Sequence, residues 1–138
     1  MSRAQQAVAA GSAFGLPTES EVQLAELLRE RVGLPSWRFC NSGTEAVMMA
    51  LRGARAYTGR DLVIRFSGSY HGTYDAVVDA TAPVVPAGVK DSVLTLPQGD
   101  EEAFADAMRT HGPSVAAGLI DLMPDRAGLR PATQQFGA

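Results

Sequence analysis

Lysine is nearly missing from this chain. Of its twelve basic side chains eleven are arginine, and Lys90 stands alone. Cysteine is as scarce: Cys40 is the only one, so no disulfide can close within the chain, which fits a reducing compartment. Cys40 itself is expected as a small buried hydrophobe. The net charge is −3 and the arginines are scattered, so there is no basic patch for a phosphate backbone, and nucleic acid is not an expected partner. No apolar run approaches a membrane-spanning length. The opening MSRAQQAVAAGSAFG lacks the apolar core of a secretory leader. A soluble, cytoplasmic setting without membrane contact is the expectation. The pattern G-x-x-x-x-G-K-[ST] does not occur, which excludes a Walker phosphate loop, and no metal-ligand set is identified.

What the 138 residues do have is 46% apolar content, enough for one packed core or a piece of a larger one. Residues 1–17 are rich in Ala, Gly and Ser and read as an irregular lead-in. From 18 on, helical and strand-like segments alternate. Thr18 and Glu21 have capping-box spacing, and Leu24, Leu27, Leu28 and Val32 recur at helical spacing as one buried stripe that Gly33 terminates. WRFCN, 37–41, alternates as a strand does. GTEAVMMALRGARAYTG, 43–59, is a second helix with Val47, Ala50, Leu51 and Ala54 as its packing face. DLVIRF, 61–66, is a short apolar strand and SGSYHG, 67–72, the loop that leaves it. Residues 73–92 carry Pro83, Pro86 and Gly88 and read as mostly irregular. VLTLP (93–97), DEEAFADAMRTHG (100–112) and VAAGLIDLM (115–123) read as strand, helix and strand, followed by a turn-rich tail. Apolar strands alternating with helices predict a three-layer α/β/α fold around a mainly parallel sheet.

Ligands of open α/β sheets sit beyond the carboxyl ends of the strands. Two loops leave such ends. The first, Asn41-Ser42-Gly43-Thr44, opens the second helix, where unpaired amides and the positive end of the helix dipole favour an anion such as a phosphate. Gly43 permits close approach, and Ser42 and Thr44 add hydroxyls. The same residues are equally those of a simple helix cap. The second loop offers Tyr70, which could stack on a flat ring or pack on the core, and His71, which could hydrogen-bond or move a proton. His111 falls at a helix carboxyl terminus, where a cation is favoured in any case, and carries no assigned chemistry.

FGLPTESEVQLAELLRERV, RFCNSGTEAVMMALRGARAYTGRDLVIRFSGSYHGTYDAV and AAGLIDLMPDRAGLRPA together resemble successive blocks of the class III, pyridoxal-phosphate-dependent aminotransferases, nearest to glutamate-1-semialdehyde aminomutase and its aminotransferase relatives. The resemblance runs from about residue 10 to the end of the chain. It implies that 18–138 are an incomplete pyridoxal 5'-phosphate (PLP)-binding large domain of fold type I. Ser42, Gly43 and Thr44 match the turn that holds the cofactor phosphate. Tyr70 matches the ring-stacking residue, with His71 beside it. The implied activity is transfer of an amino group through a Schiff base to or from a small amino acid, amino-aldehyde or keto substrate. Such enzymes are usually homodimers.

Two departures stand out. The family's strand usually ends in Glu-Pro where this chain has Asp121-Leu122. The aspartate that pairs with the pyridine nitrogen and the Schiff-base lysine belong to blocks beyond position 138, and Lys90, in VPAGVKDSV, is in an unlike setting. Hence no catalytic residue is assigned, and the expectation is the amino-terminal portion of such an enzyme, inactive alone. The alternative is a non-catalytic phosphate- or PLP-binding module, or half of a split enzyme completed by another chain.

Overall fold

The computed structural model describes residues 2–11, 14–78, 81–123 and 128. The expected turn-rich tail falls almost entirely outside the described residues. The chain divides into two compact units, Met1–Phe39 and Cys40–Ala138.

Met1–Phe39 contains α1, Arg3–Ala10, and α2, Glu19–Val32. Helix α1 lies in the stretch expected to be irregular. The Ser2 hydroxyl accepts from the Gln5 amide while the Gln5 side chain accepts from the Ser2 amide, a reciprocal cap whose Gln partner composition alone does not reveal. The expected cap of α2 is present, Thr18 Oγ1 accepting from Glu21 N at 3.3 Å, and Gly33 ends the helix in the left-handed region at φ 79°. Its expected buried stripe is not: no residue of α2 is buried, and Leu24 and Leu27 are each 44% exposed. Periodicity defines an apolar face but does not supply a second layer to cover it. The strand expected at 37–41 is also absent. Those residues are extended or bent and pair with no neighbour, because alternation cannot provide the partner that a strand requires.

Cys40–Ala138 holds the layered core. Helix α3, Gly43–Thr58, runs into β1, Leu62–Phe66. The short helix α4, Ala87–Lys90, precedes β2, Val93–Leu96. Helix α5, Glu101–His111, and a 3₁₀ turn at Gly112–Ser114 lead to β3, Val115–Leu119. The three strands form a parallel sheet in the order β2-β1-β3. Central β1 carries the core because neighbours flank it on both sides: Val63, Ile64 and Phe66 are fully buried. Its side chains alternate between faces. Val63 packs with Leu51 of α3, Ala76, Val77 and Ala117 on one face. Ile64 and Phe66 pack with Leu96, Phe104 and Ala107 of α5 on the other. Helices on opposite faces of a parallel sheet make the expected α/β/α arrangement, with three strands among the described residues where four were read.

Within α3 the packing face is narrower than its spacing suggests. Leu51 is buried and Val47 packs against the core, but Ala50 is exposed. Cys40 is half-buried rather than buried. The last strand stops at Leu119, since Ile120, Leu122 and Met123 are exposed and leave the sheet.

Candidate functional site

In a parallel sheet the helices run back against the strands, so the start of α3 lies at the carboxyl end of β1. Ser42 is the N-cap of α3. Its backbone is extended, and its Oγ accepts from the Glu45 amide at 3.2 Å while Glu45 Oε2 accepts from the Asn41 amide at 2.7 Å. The capping role therefore holds for Ser42. It leaves the amides of Gly43 and Thr44, the first two of the helix, with no acceptor among the described residues. Gly43 is exposed, and nothing lies within 4 Å of where a Cβ would stand. Two unspent donors, an open approach and the helix dipole are features that favour an anion at such a turn.

Thr44 faces the second loop. Its Oγ1 accepts from the Thr73 amide at 3.2 Å. Gly72 is buried against it in the left-handed region, φ 99°. The loop is anchored where it begins, the Ser67 amide donating to Leu96 O at 2.8 Å. Tyr70 is 50% exposed and stands two residues before Gly72, on the stretch that reaches α3. The structure thus brings the Ser42–Thr44 turn and the Tyr70–Gly72 loop together.

His71 is half-buried on the same loop. Burial lowers its pKa below the ordinary 6.5; the Asp121 carboxylate opposes this and the Arg65 guanidinium adds to it. Its Nε2 is buried without a hydrogen-bond partner among the described residues, as are Ser69 Oγ and Gln98 Oε1. Gln98 follows the end of β2 and donates through Nε2 to the Asp121 carbonyl at 3.3 Å, beyond the end of β3. Beneath them Arg65, on β1, donates to the carbonyls of Val77, at 2.7 Å, and Val78. Loops from all three strand ends therefore contribute. Ser69, Gln98 and Arg65 were not singled out from the sequence. Gln98 and Ser69 could have been, since each lies within three residues of a strand's carboxyl end.

A separate cleft of about 540 Å³ lies at the opposite end of the sheet, lined by Arg60, Asp61, Asp91, Ser92, His111 and Ser114 among others. Nearby donors are already committed: Arg60 to Gly112 O and Val115 O, Arg55 to Asp61 O and Ser92 Oγ. Lys90 also belongs to that end. It closes α4 three residues ahead of β2, and strands of this length place the two sheet ends about 13–17 Å apart.

The profile of the class-III aminotransferases matches residues 1–136, and the chain belongs to that family. It is 46% identical over 121 residues to a glutamate-1-semialdehyde 2,1-aminomutase of Methanothermobacter thermautotrophicus, an alignment covering 80% of this chain and 29% of that protein. Its fold matches an omega-transaminase from Sphaerobacter thermophilus with a TM-score of 0.88 at 41% identity, and a structure described as a transaminase with PLP bound with 0.87 at 40%. Each match covers 96% of this chain and 34% of the other. The chain spans about a third of the length of the curated relatives it matches. Among the described residues no helix is long and apolar enough to cross a membrane.

Proposed function

We propose that residues 18–138 are the phosphate- and ring-holding part of the PLP-binding large domain of an aminotransferase or glutamate-1-semialdehyde-aminomutase-like enzyme. The observation that carries the reading is the start of α3, with two free amides, an open Gly43 and the Tyr70–Gly72 loop joined to it. A second feature supports the fit. A polar group buried without a partner typically costs about 1–3 kcal/mol. Three of them, on Ser69, His71 and Gln98, lie on the loops that leave β1 and β2, a surface suited to a polar ligand.

When bound, PLP supplies an aldehyde for the amino group and an electron-withdrawing ring. The chain's own residues do the holding. Amides of Gly43 and Thr44 and the hydroxyls of Ser42 and Thr44 would donate to the phosphate. The phenol ring of Tyr70 would supply the stacking surface for the heterocycle. His71, kept neutral at neutral pH by burial, offers a nitrogen for hydrogen bonding rather than a second charge. The amine chemistry is not assigned to these residues. Their one lysine, Lys90, sits at the amino end of the sheet, which supports the reading that these residues hold the cofactor and do not catalyse the reaction alone. The full enzyme acts on a small amino acid, amino-aldehyde or keto substrate as a cytoplasmic homodimer.

The test is an amide NMR titration with 4'-deoxypyridoxine 5'-phosphate, which carries ring and phosphate but no aldehyde. The expected result is that the Gly43 and Thr44 resonances move most, with those of 69–73 and Gln98 following. Movement confined to Gly59–Leu62 and His111–Ser114 would sink the reading.

A further inference from the structure

We propose that Gly72 and Thr44 form a latch that fixes the phosphate turn against the ring-bearing loop, making Gly72 a positioning residue for the cofactor. The inference rests on the function proposed above and adds a part to it. A Cβ on Gly72 would stand 2.9 Å from the Thr44 Cα and closer still to Oγ1, so only glycine lets the loop come down onto the helix. The φ of 99° independently disfavours any other residue. The neighbouring amide of Thr73 then donates to Thr44 Oγ1, tying segments 29 residues apart.

The hydroxyl chemistry gives the latch a direction. A threonine hydroxyl has one proton to donate and lone pairs to accept with. Here one lone pair takes the Thr73 amide, which leaves the proton for another acceptor beside the free amides of Gly43 and Thr44. Each half is otherwise held firmly: α3 by buried Leu51, and the loop by fully buried Phe66 and by the Ser67 bond to Leu96 O. Two rigid halves joined at one point set the phosphate-to-ring spacing before any ligand arrives, and a misplacement on the order of 1 Å in such a site costs up to about a hundredfold.

The experiment measures binding of two probes, inorganic phosphate and 4'-deoxypyridoxine 5'-phosphate, to the full chain by calorimetry. The variants are Gly72→Ala, Thr44→Val, Thr44→Ser and the control Gly43→Asp. The latch predicts that Gly72→Ala weakens the ring-bearing probe by about tenfold and inorganic phosphate by less than about threefold, because the helix start is untouched. Thr44→Val, nearly isosteric, weakens the ring-bearing probe by about tenfold and speeds hydrogen exchange at the Thr73 amide, whereas Thr44→Ser keeps both within about twofold of the parent. Equal losses for both probes in Gly72→Ala, no loss in either, or a Thr44→Ser variant as impaired as Thr44→Val, would overturn the latch. If Gly43→Asp still abolishes binding in that case, the proposed function survives without it. A parent chain that holds neither probe, or ignores Gly43→Asp, overturns both.

Discussion

The two ends of this sheet are built from similar residue types and are arranged in opposite ways. At the amino end Arg55, Arg60 and Ser92 bond to carbonyls and to one another, tying α3 to the β2 and β3 entrances. At the carboxyl end, among the described residues, the helix start keeps free amides, and Ser69, His71 and Gln98 keep buried atoms without partners. A cleft of about 540 Å³ opens at the amino end, where the Arg55, Arg60 and Ser92 donors are committed. Hydrogen-bond capacity left unspent, rather than open volume, distinguishes a place prepared for a ligand from a place where elements meet.

Removing the ring platform should weaken one end without touching the other. Tyr70→Ala is expected to lower affinity for 4'-deoxypyridoxine 5'-phosphate by about tenfold, the scale of an aromatic stacking contribution of roughly 0.5–1.5 kcal/mol. Tyr70→Phe should retain most of it, and unfolding free energies should stay within about 0.5 kcal/mol of the parent for both, as for a half-exposed side chain. A Tyr70→Ala variant that binds the probe unchanged in fluorescence titration would remove the loop from the site.

A smaller effect concerns pH. Burial lowers the pKa of His71 in the folded chain, so the unfolded chain takes up its proton first as pH falls. The stability contributed by keeping this imidazole neutral is therefore fully present above the ordinary value of 6.5 and is lost as pH falls from there through the lowered folded value. His71→Gln should flatten that part of the stability curve, measured by urea unfolding between pH 5 and about 7. An unchanged slope would mean that another group carries the dependence.

Much of the layered unit was legible because its signals are local. Apolar runs with helices between them locate β1, β2 and α5 within a residue or two. Asp100, Thr18 and Ser42 announce helix starts through side-chain oxygens that reach only three residues onward. What was not legible depends on partners remote in sequence. The alternation of 37–41 carries no information on whether another strand lies alongside. The spacing of Leu24 and Leu27 cannot say what covers them. Within the site, Ser42, Gly43, Thr44, Tyr70 and His71 were named from loop position and family resemblance, and the structure brings the two loops together. The reason Gly72 must be glycine emerges only from its contact with Thr44, and the bond from Gln98 to the Asp121 carbonyl emerges only once β2 and β3 are seen to end on the same side of the sheet.

The central claim is that the start of α3, and not the cleft at the amino end of the sheet, receives an anionic ring ligand. Titrating 4'-deoxypyridoxine 5'-phosphate into Gly43→Asp and Arg60→Ala side by side tests it most directly. A carboxylate placed among the free amides should reduce affinity by about a hundredfold or more, while loss of Arg60 should leave affinity within about threefold and cost only about 1 kcal/mol of stability. The reverse pattern, with binding lost in Arg60→Ala and kept in Gly43→Asp, would contradict the account.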